Sequence, residues 1–156
     1  MFPDLSRDDV FTLETAQLWL RWPRVSDACA IQRLAGEKAV AEMTGNIPHP
    51  YPEGAAEQFV FQQRKSNALG QNLSLAITLK GKPNALIGMI GAHGRPDGAP
   101  ELGFWLGLDH WGKGYATEAA RSVIDAVFTL TEAREIVSAA RVINPASRRV
   151  HEKCGF

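Results

Sequence analysis

Apolar and polar residues alternate from Leu13 to Arg21, with Leu18, Leu20 and Trp22 on one side and Gln17, Trp19 and Arg21 on the other. That period of two predicts a strand. Ser26 is placed to cap a helix running towards Met43, with Ala28, Ile31, Leu34 and Ala35 as its apolar stripe. The segment Gly45 to Pro52 cannot continue it, because its prolines lack amide donors and restrict the residues before them. A second helix is predicted from Glu53 to about Asn67, burying Ala56, Phe59 and Val60. Strands follow at Leu73–Leu79 and Ala85–Ala92, around the turn Lys80 to Asn84. The turn Arg95-Pro96-Asp97-Gly98 then leads to a strand from Glu101 to Leu106.

Beyond a glycine-rich turn, Ala119, Ala120, Val123, Val127 and Phe128 recur at helical spacing, which predicts a helix from Ala116 to about Leu130. Glu135 to Val142 reads as a strand, and Asn144-Pro145 opens a short helix that ends at Cys154-Gly155. The order is strand, two helices, three antiparallel strands, helix, strand, helix. It predicts an α/β (α+β) domain with a mixed sheet flanked by helices.

Composition narrows the partners more than the fold. Seventeen basic residues balance seventeen acidic ones, so no global field draws the chain to nucleic acid or to an anionic membrane. No run approaches the roughly 20 apolar residues of a membrane span, and Asp4, Asp8 and Asp9 spoil any secretory leader at the start. Cys29 and Cys154 form no metal-type spacing, so free thiols in a cytoplasmic protein are expected. His49, His93 and His110 show no metal spacing either, and no metal is expected.

The chemistry concentrates in Trp111-Gly112-Lys113-Gly114-Tyr115-Ala116-Thr117, which joins a strand to a helix. The first amides of a helix have no intrahelical partner and sit at the positive end of its dipole, so they bind anions. Gly112 and Gly114 let a phosphate approach the main chain without meeting a Cβ, and Lys113 adds positive charge. The loop is not a Walker motif, which needs Gly-Lys-Ser/Thr, nor a Rossmann fingerprint, whose third glycine falls on Thr117.

Trp111-Gly-Lys-Gly-Tyr-Ala-Thr-Glu-Ala119 resembles the acetyl-CoA signature of the GNAT superfamily, especially the branch containing ribosomal-protein N-terminal acetyltransferases of the RimJ/RimL type. Two further blocks are similar to that branch: Glu101 to Leu106, and Asn144-Pro-Ala-Ser147 through Glu-Lys-Cys-Gly-Phe156. The resemblance implies an N-acetyltransferase that passes an acetyl group from acetyl-CoA to a primary amine, by direct attack in a ternary complex. It implies that backbone amides of Gly112 through Thr117 hold the diphosphate. Main-chain groups of Leu106 and Leu108 are expected to pair with the pantetheine arm, with Asn144 and Ser147 near the arm or the thioester sulfur. Glu101 stands where the family often places a carboxylate base, or is an exposed residue that merely starts a strand. Ser147 is the nearest substitute for the family's tyrosine acid, or caps the final helix. His49 and Tyr51 lie in the Pro-rich segment that shapes the acceptor pocket in relatives, or belong to a simple connector.

The resemblance also implies two more strands after the final helix. The chain stops at Gly155-Phe156, so residues 1–156 are expected to form a single domain that is a fragment lacking its last strands. A bare sheet edge would otherwise invite pairing with a second copy, a homodimer. A catalytically silent acyl-CoA-binding module remains the alternative function, because the last helix has no tyrosine. The sequence does not identify the acceptor amine.

Overall fold

The computed structural model describes residues Met1–Phe156. Six strands form one sheet in sequential order, β1 Thr12–Glu14, β2 Leu18–Arg21, β3 Asn72–Leu79, β4 Lys82–His93, β5 Glu101–Leu106 and β6 Val137–Ser138. All neighbours are antiparallel except β5 and β6, which run parallel. The helices are α1 Ala28–Ala35, α2 Lys38–Glu42, α3 Ala55–Ala68, α4 Tyr115–Leu130 and α5 Pro145–Lys153.

Alternation along the strands feeds two cores. Leu18, Leu20, Leu73, Leu75, Ile77, Ile90 and Leu102 face α4 and meet its Ala119, Ala120, Val123 and Val127. Ala76 and Met89 face the other way, against Ile31 and Leu34 of α1 and Ala56 and Val60 of α3. The sheet is therefore covered on both faces, which its central strands require. No helix is long and apolar enough to cross a membrane.

Three elements differ from the sequence reading, each for a local reason. The expected single strand from Leu13 to Arg21 folds back as the β1–β2 hairpin, with Thr12 paired to Arg21 and Glu14 to Trp19. The reversal is organised from α4. The Glu118 carboxylate accepts hydrogen bonds from the Thr15 hydroxyl, from the Gln17 amide at 2.7 Å and from Gln17 Nε2 at 2.8 Å. The helix expected from Ser26 to Met43 breaks at Gly36 and Glu37, and Glu37 adopts extended backbone before α2 begins. Its start is organised by Asp27 rather than Ser26: the Asp27 carboxylate takes the Arg24 amide at 2.7 Å and the Arg21 guanidinium through two bonds of 2.8 Å. The strand expected from Glu135 to Val142 shrinks to Val137–Ser138, because the chain leaves β5 after pairing with Glu101 and Leu102 only.

Burial alone would raise the Glu118 carboxyl, but the hydrogen bonds from Thr15 and Gln17 outweigh it and hold its pKa below the ordinary carboxylate value. The stabilisation from a depressed carboxylate is present above the unfolded pKa of about 4.3 and is lost as pH falls through the folded value. Glu118→Ala is therefore expected to cost about 1 kcal/mol at pH 7, after discounting for its partial exposure. The gap from the wild type should narrow at pH 3. Urea titrations of both proteins at the two pH values check this, and an undiminished gap would assign the effect to packing.

Candidate active site

Main-chain geometry sets up the site. Gly88 pairs with Leu106, and the Gly107 amide donates to Ile87 O at 2.8 Å. In an antiparallel pair the residues alternate in which side their N–H and C=O face. Glu101, Gly103 and Trp105 therefore spend their main-chain groups on β4, whereas Leu102, Phe104 and Leu106 turn theirs towards β6. Consistent with this parity, Leu102 O accepts from the Ser138 hydroxyl at 2.8 Å. Because β6 pairs no further than Leu102, the main-chain groups of Phe104 and the amide of Leu106 lie open along a cleft, while Leu106 O is taken by the Trp111 indole.

The cleft holds a cavity of about 270 Å³. Its lining joins Phe104 and Leu106 of β5, the turn from His110 to Thr117 apart from Lys113, and Asn144, Ser147, Arg149 and Lys153 at α5. Val40, Met43 and Thr44 close it on the α2 side. The wall is stapled in place: Asn144 Nδ2 donates to Met43 O at 3.0 Å and Arg141 donates to Glu42 O at 2.7 Å. A second tie holds the point where β6 leaves β5. With its proton committed to Leu102 O, the Ser138 hydroxyl receives the His151 Nε2 proton at 2.8 Å, and the His151 ring packs edge-on against Phe104.

At the turn, Gly112 and Gly114 adopt φ values of +74° and +82°, which only glycine takes without strain. A Cβ at either position would meet no atom within 4 Å, so the space before both is open. Gly114 caps α4, and no side chain caps the helix start. The amides of Tyr115, Ala116 and Thr117 precede the first intrahelical donor, Glu118 N to Gly114 O at 3.1 Å. Their residues line the cavity, and amides left free at a helix start suit an anion. Trp111 Nε1 donates to Leu106 O at 2.8 Å, which fixes the indole against the end of β5.

Of the residues singled out in the sequence, Leu106, Trp111, Gly112, Gly114, Tyr115, Ala116, Thr117, Asn144 and Ser147 all line this one cavity. Lys113 belongs to the turn but not to the lining. Leu108 does not extend the strand edge: it sits in a 3₁₀ turn, where its carbonyl accepts the Trp111 amide at 3.2 Å. Asn144 is occupied in structure, since Oδ1 caps α5 through the Ser147 amide at 3.0 Å while Nδ2 holds Met43. The Ser147 side chain remains in the lining.

Glu101 is not brought to the cavity. It stands at the exposed start of β5 beside Arg95, 3.6 Å away, three residues before the open edge at Phe104. His49 and Tyr51 are also elsewhere. His49 Nδ1 lies 3.2 Å from Gly36 O at the end of α1, and Tyr51 packs against the core beneath α1 and α3. Burial, then Glu57, raises the Tyr51 phenol. The Pro-rich segment docks onto helices instead of reaching the cleft.

Sequence reasoning missed the cationic wall. Arg149 and Lys153, one helical turn apart on α5, are the fixed positive charges of the lining. The spacing was visible in the chain, but only the position of α5 shows which face meets the cavity. His110, also in the lining, is held below the ordinary histidine value by burial and then by Lys113, with Asp109 opposing.

The family sequence model described as an acetyltransferase (GNAT) domain matches residues 17–156. The chain is 28% identical over 148 residues to the uncharacterized N-acetyltransferase p20 of Bacillus licheniformis, covering 93% of this chain and 82% of that protein. Among solved structures, it superposes on an acetyltransferase of Agrobacterium tumefaciens with TM-score 0.79 at 28% identity, over 93% of this chain and 82% of the other. It also shares its fold with Mycobacterium smegmatis RimJ, solved with a CoA-disulfide, at TM-score 0.78 and 22% identity over 94% and 75% of the two chains.

Proposed function

The chain belongs to the GNAT acetyltransferase family, and from that premise we propose that it transfers the acetyl group of acetyl-CoA directly to a primary amine held in the same complex. One observation carries this reading: free amides at a glycine-rich helix start share a cavity with an unpaired strand edge. The first suits a diphosphate and the second suits the amide-bearing arm that follows it in CoA.

The amides of Tyr115, Ala116 and Thr117 would hold the diphosphate, with Arg149 and Lys153 adding charge from the facing helix. The main-chain groups of Phe104 and the amide of Leu106 would align the arm as an added strand does, with Leu106 O held by Trp111. An inward N–H of that edge can donate to the thioester oxygen and stabilise the charge that develops there. Direct attack needs no enzyme nucleophile. The leaving thiolate is weakly basic, and the Ser147 hydroxyl or water can return its proton.

A screen of small amines and of peptides with free amino termini, read by thiol release from acetyl-CoA, tests the proposal. Acceptor-dependent release supports it. Calorimetric binding of acetyl-CoA with no release for any acceptor would favour the silent binding module instead, a reading that draws on the absence of a tyrosine from α5. No binding at all would end both.

A further inference from the structure

On the sheet face opposite α4, two glycines leave a bare strip beside the open edge. Gly91 of β4 and Gly103 of β5 are register partners. A Cβ at Gly103 would meet a single atom within 4 Å, His93 Nε2 at 3.9 Å. At Gly91 it would meet Ser74 Oγ at 3.1 Å and His93 Nε2 at 3.2 Å. The His93 ring therefore leans from its own strand position, opposite Glu101, across the glycine pair towards β5. Gly103 is partly exposed, so the strip opens to solvent one residue before Phe104, where the main-chain edge of the cleft begins.

The surroundings of the ring suit a proton acceptor. His93 is mostly buried and no hydrogen bond acts on it; burial lowers its pKa below the ordinary histidine value, and Glu101 partly opposes this. The other charge beside it is Arg95, which pairs with Glu101 at 3.6 Å. From β3 and α3 the groups are neutral: Asn72 opposite His93, and Ser74, whose hydroxyl donates to Gln63 Oε1 at 2.6 Å. An imidazole with an unengaged Nε2 thus lies over the glycine strip, one residue from Phe104.

We propose that His93 accepts the proton of the attacking amine, which enters over Gly103 from the face opposite α4. The proposal rests on the acetyl-transfer reading above and names a base for it: His93, like Glu101, is not part of the cavity's lining, but its Nε2 reaches to 3.9 Å from a Cβ position at Gly103, the neighbour of Phe104. As the C–N bond forms and the C–S bond breaks, one proton passes from nitrogen to Nε2, directly or through one water. The imidazolium then gives it up through water to the departing thiolate, so acid and base balance over the cycle. Glycine at position 103 leaves the approach clear, and Glu101 favours the imidazolium from across the strand pair.

The test compares the wild type with His93→Gln, Gly103→Ala and Glu101→Gln between pH 5.5 and 9. Acceptors are a short peptide with a free amino terminus and phenethylamine, and acetyl-CoA affinity is measured by calorimetry. His93→Gln is expected to lower kcat about a hundredfold and to abolish the acidic limb of the kcat profile, with acetyl-CoA affinity within about twofold of wild type. Glu101→Gln should move that limb to lower pH, since removing the anion disfavours the imidazolium. Gly103→Ala, whose added methyl fits at ordinary contact distance, should raise the acceptor KM and keep the limb. An unchanged kcat and limb in His93→Gln would overturn the assignment while leaving the transfer reading intact. A wild type silent towards both amines would sink the transfer reading, and this one with it.

Discussion

Replacing Gly114 with valine is expected to weaken acetyl-CoA binding by about a hundredfold or more while the sheet stays folded. Gly114 sits at φ +82°, and a β-branched residue in that region carries strain of about 1–3 kcal/mol. The turn relieves that strain by moving, which carries the amides of Tyr115 to Thr117 away from their common target. The valine side chain also projects into the open space before those amides, where no protein atom lies within 4 Å of a Cβ. Losing two hydrogen bonds to a charged group at about 1.5–3 kcal/mol each exceeds the 2.7 kcal/mol of a hundredfold change. Calorimetry of the variant, with a thermal melt to verify folding, decides the matter. A Kd within about threefold of wild type would show that the anion does not sit there.

The second large effect concerns folding and lies far from the cleft. Asp27→Ala is expected to destabilise the protein by about 3–5 kcal/mol, a large share of the roughly 5–15 kcal/mol that ordinarily holds a domain folded. Arg21 and Asp27 form a two-bond pair at 2.8 Å with side chains 3% and 2% exposed. Asp27 also holds the Arg24 amide, while Arg21 places two further donors on Pro83 O and Trp22 O. Removing the carboxylate strands a buried guanidinium with two carbonyl partners and no counter-charge. Changing both residues together, Arg21→Met with Asp27→Ala, should recover much of the loss, because the stranded charge goes too. Urea denaturation of the three proteins measures this. A double variant less stable than the single one would mean that the arginine contributes mainly through its carbonyl bonds.

The two predictions draw on features of very different legibility. The glycine turn could be read directly, because Gly112 and Gly114 between a strand and an amphipathic helix determine their own local geometry. The same holds for β5, found at Glu101–Leu106 as expected, and for α4, which begins one residue early at Tyr115. Each is bounded by residues that decide their own conformation. The Arg21–Asp27 pair was hidden: Arg21 fell on the polar side of an alternating run, and nothing local indicates that this side is buried. The break in that run, made by Glu118 from about a hundred residues away, is equally invisible in a local pattern.

The site shows the same division. Apart from Lys113, the positions of the turn came together in one cavity with Leu106, Asn144 and Ser147, whereas Glu101, His49 and Tyr51 lie outside it. Glu101 begins the correct strand, but the open edge lies at its other end. His49 and Tyr51 were placed by a Pro-rich segment whose docking depends on the carbonyl left free where α1 stops at Gly36. The histidine spacing drew attention to His93 only as a possible metal ligand, and its lean over Gly91 and Gly103 depends on a neighbouring strand that the local pattern does not show.

The most direct measurement is a ¹H–¹⁵N correlation spectrum of the labelled protein, titrated with acetyl-CoA and separately with acetyl-pantetheine, which lacks the diphosphate. If helix-start amides grip the diphosphate, the Gly112 to Thr117 resonances shift strongly with acetyl-CoA and hardly at all with the truncated thioester. Equal shifts with both compounds, or shifts that leave those six amides untouched, would contradict it.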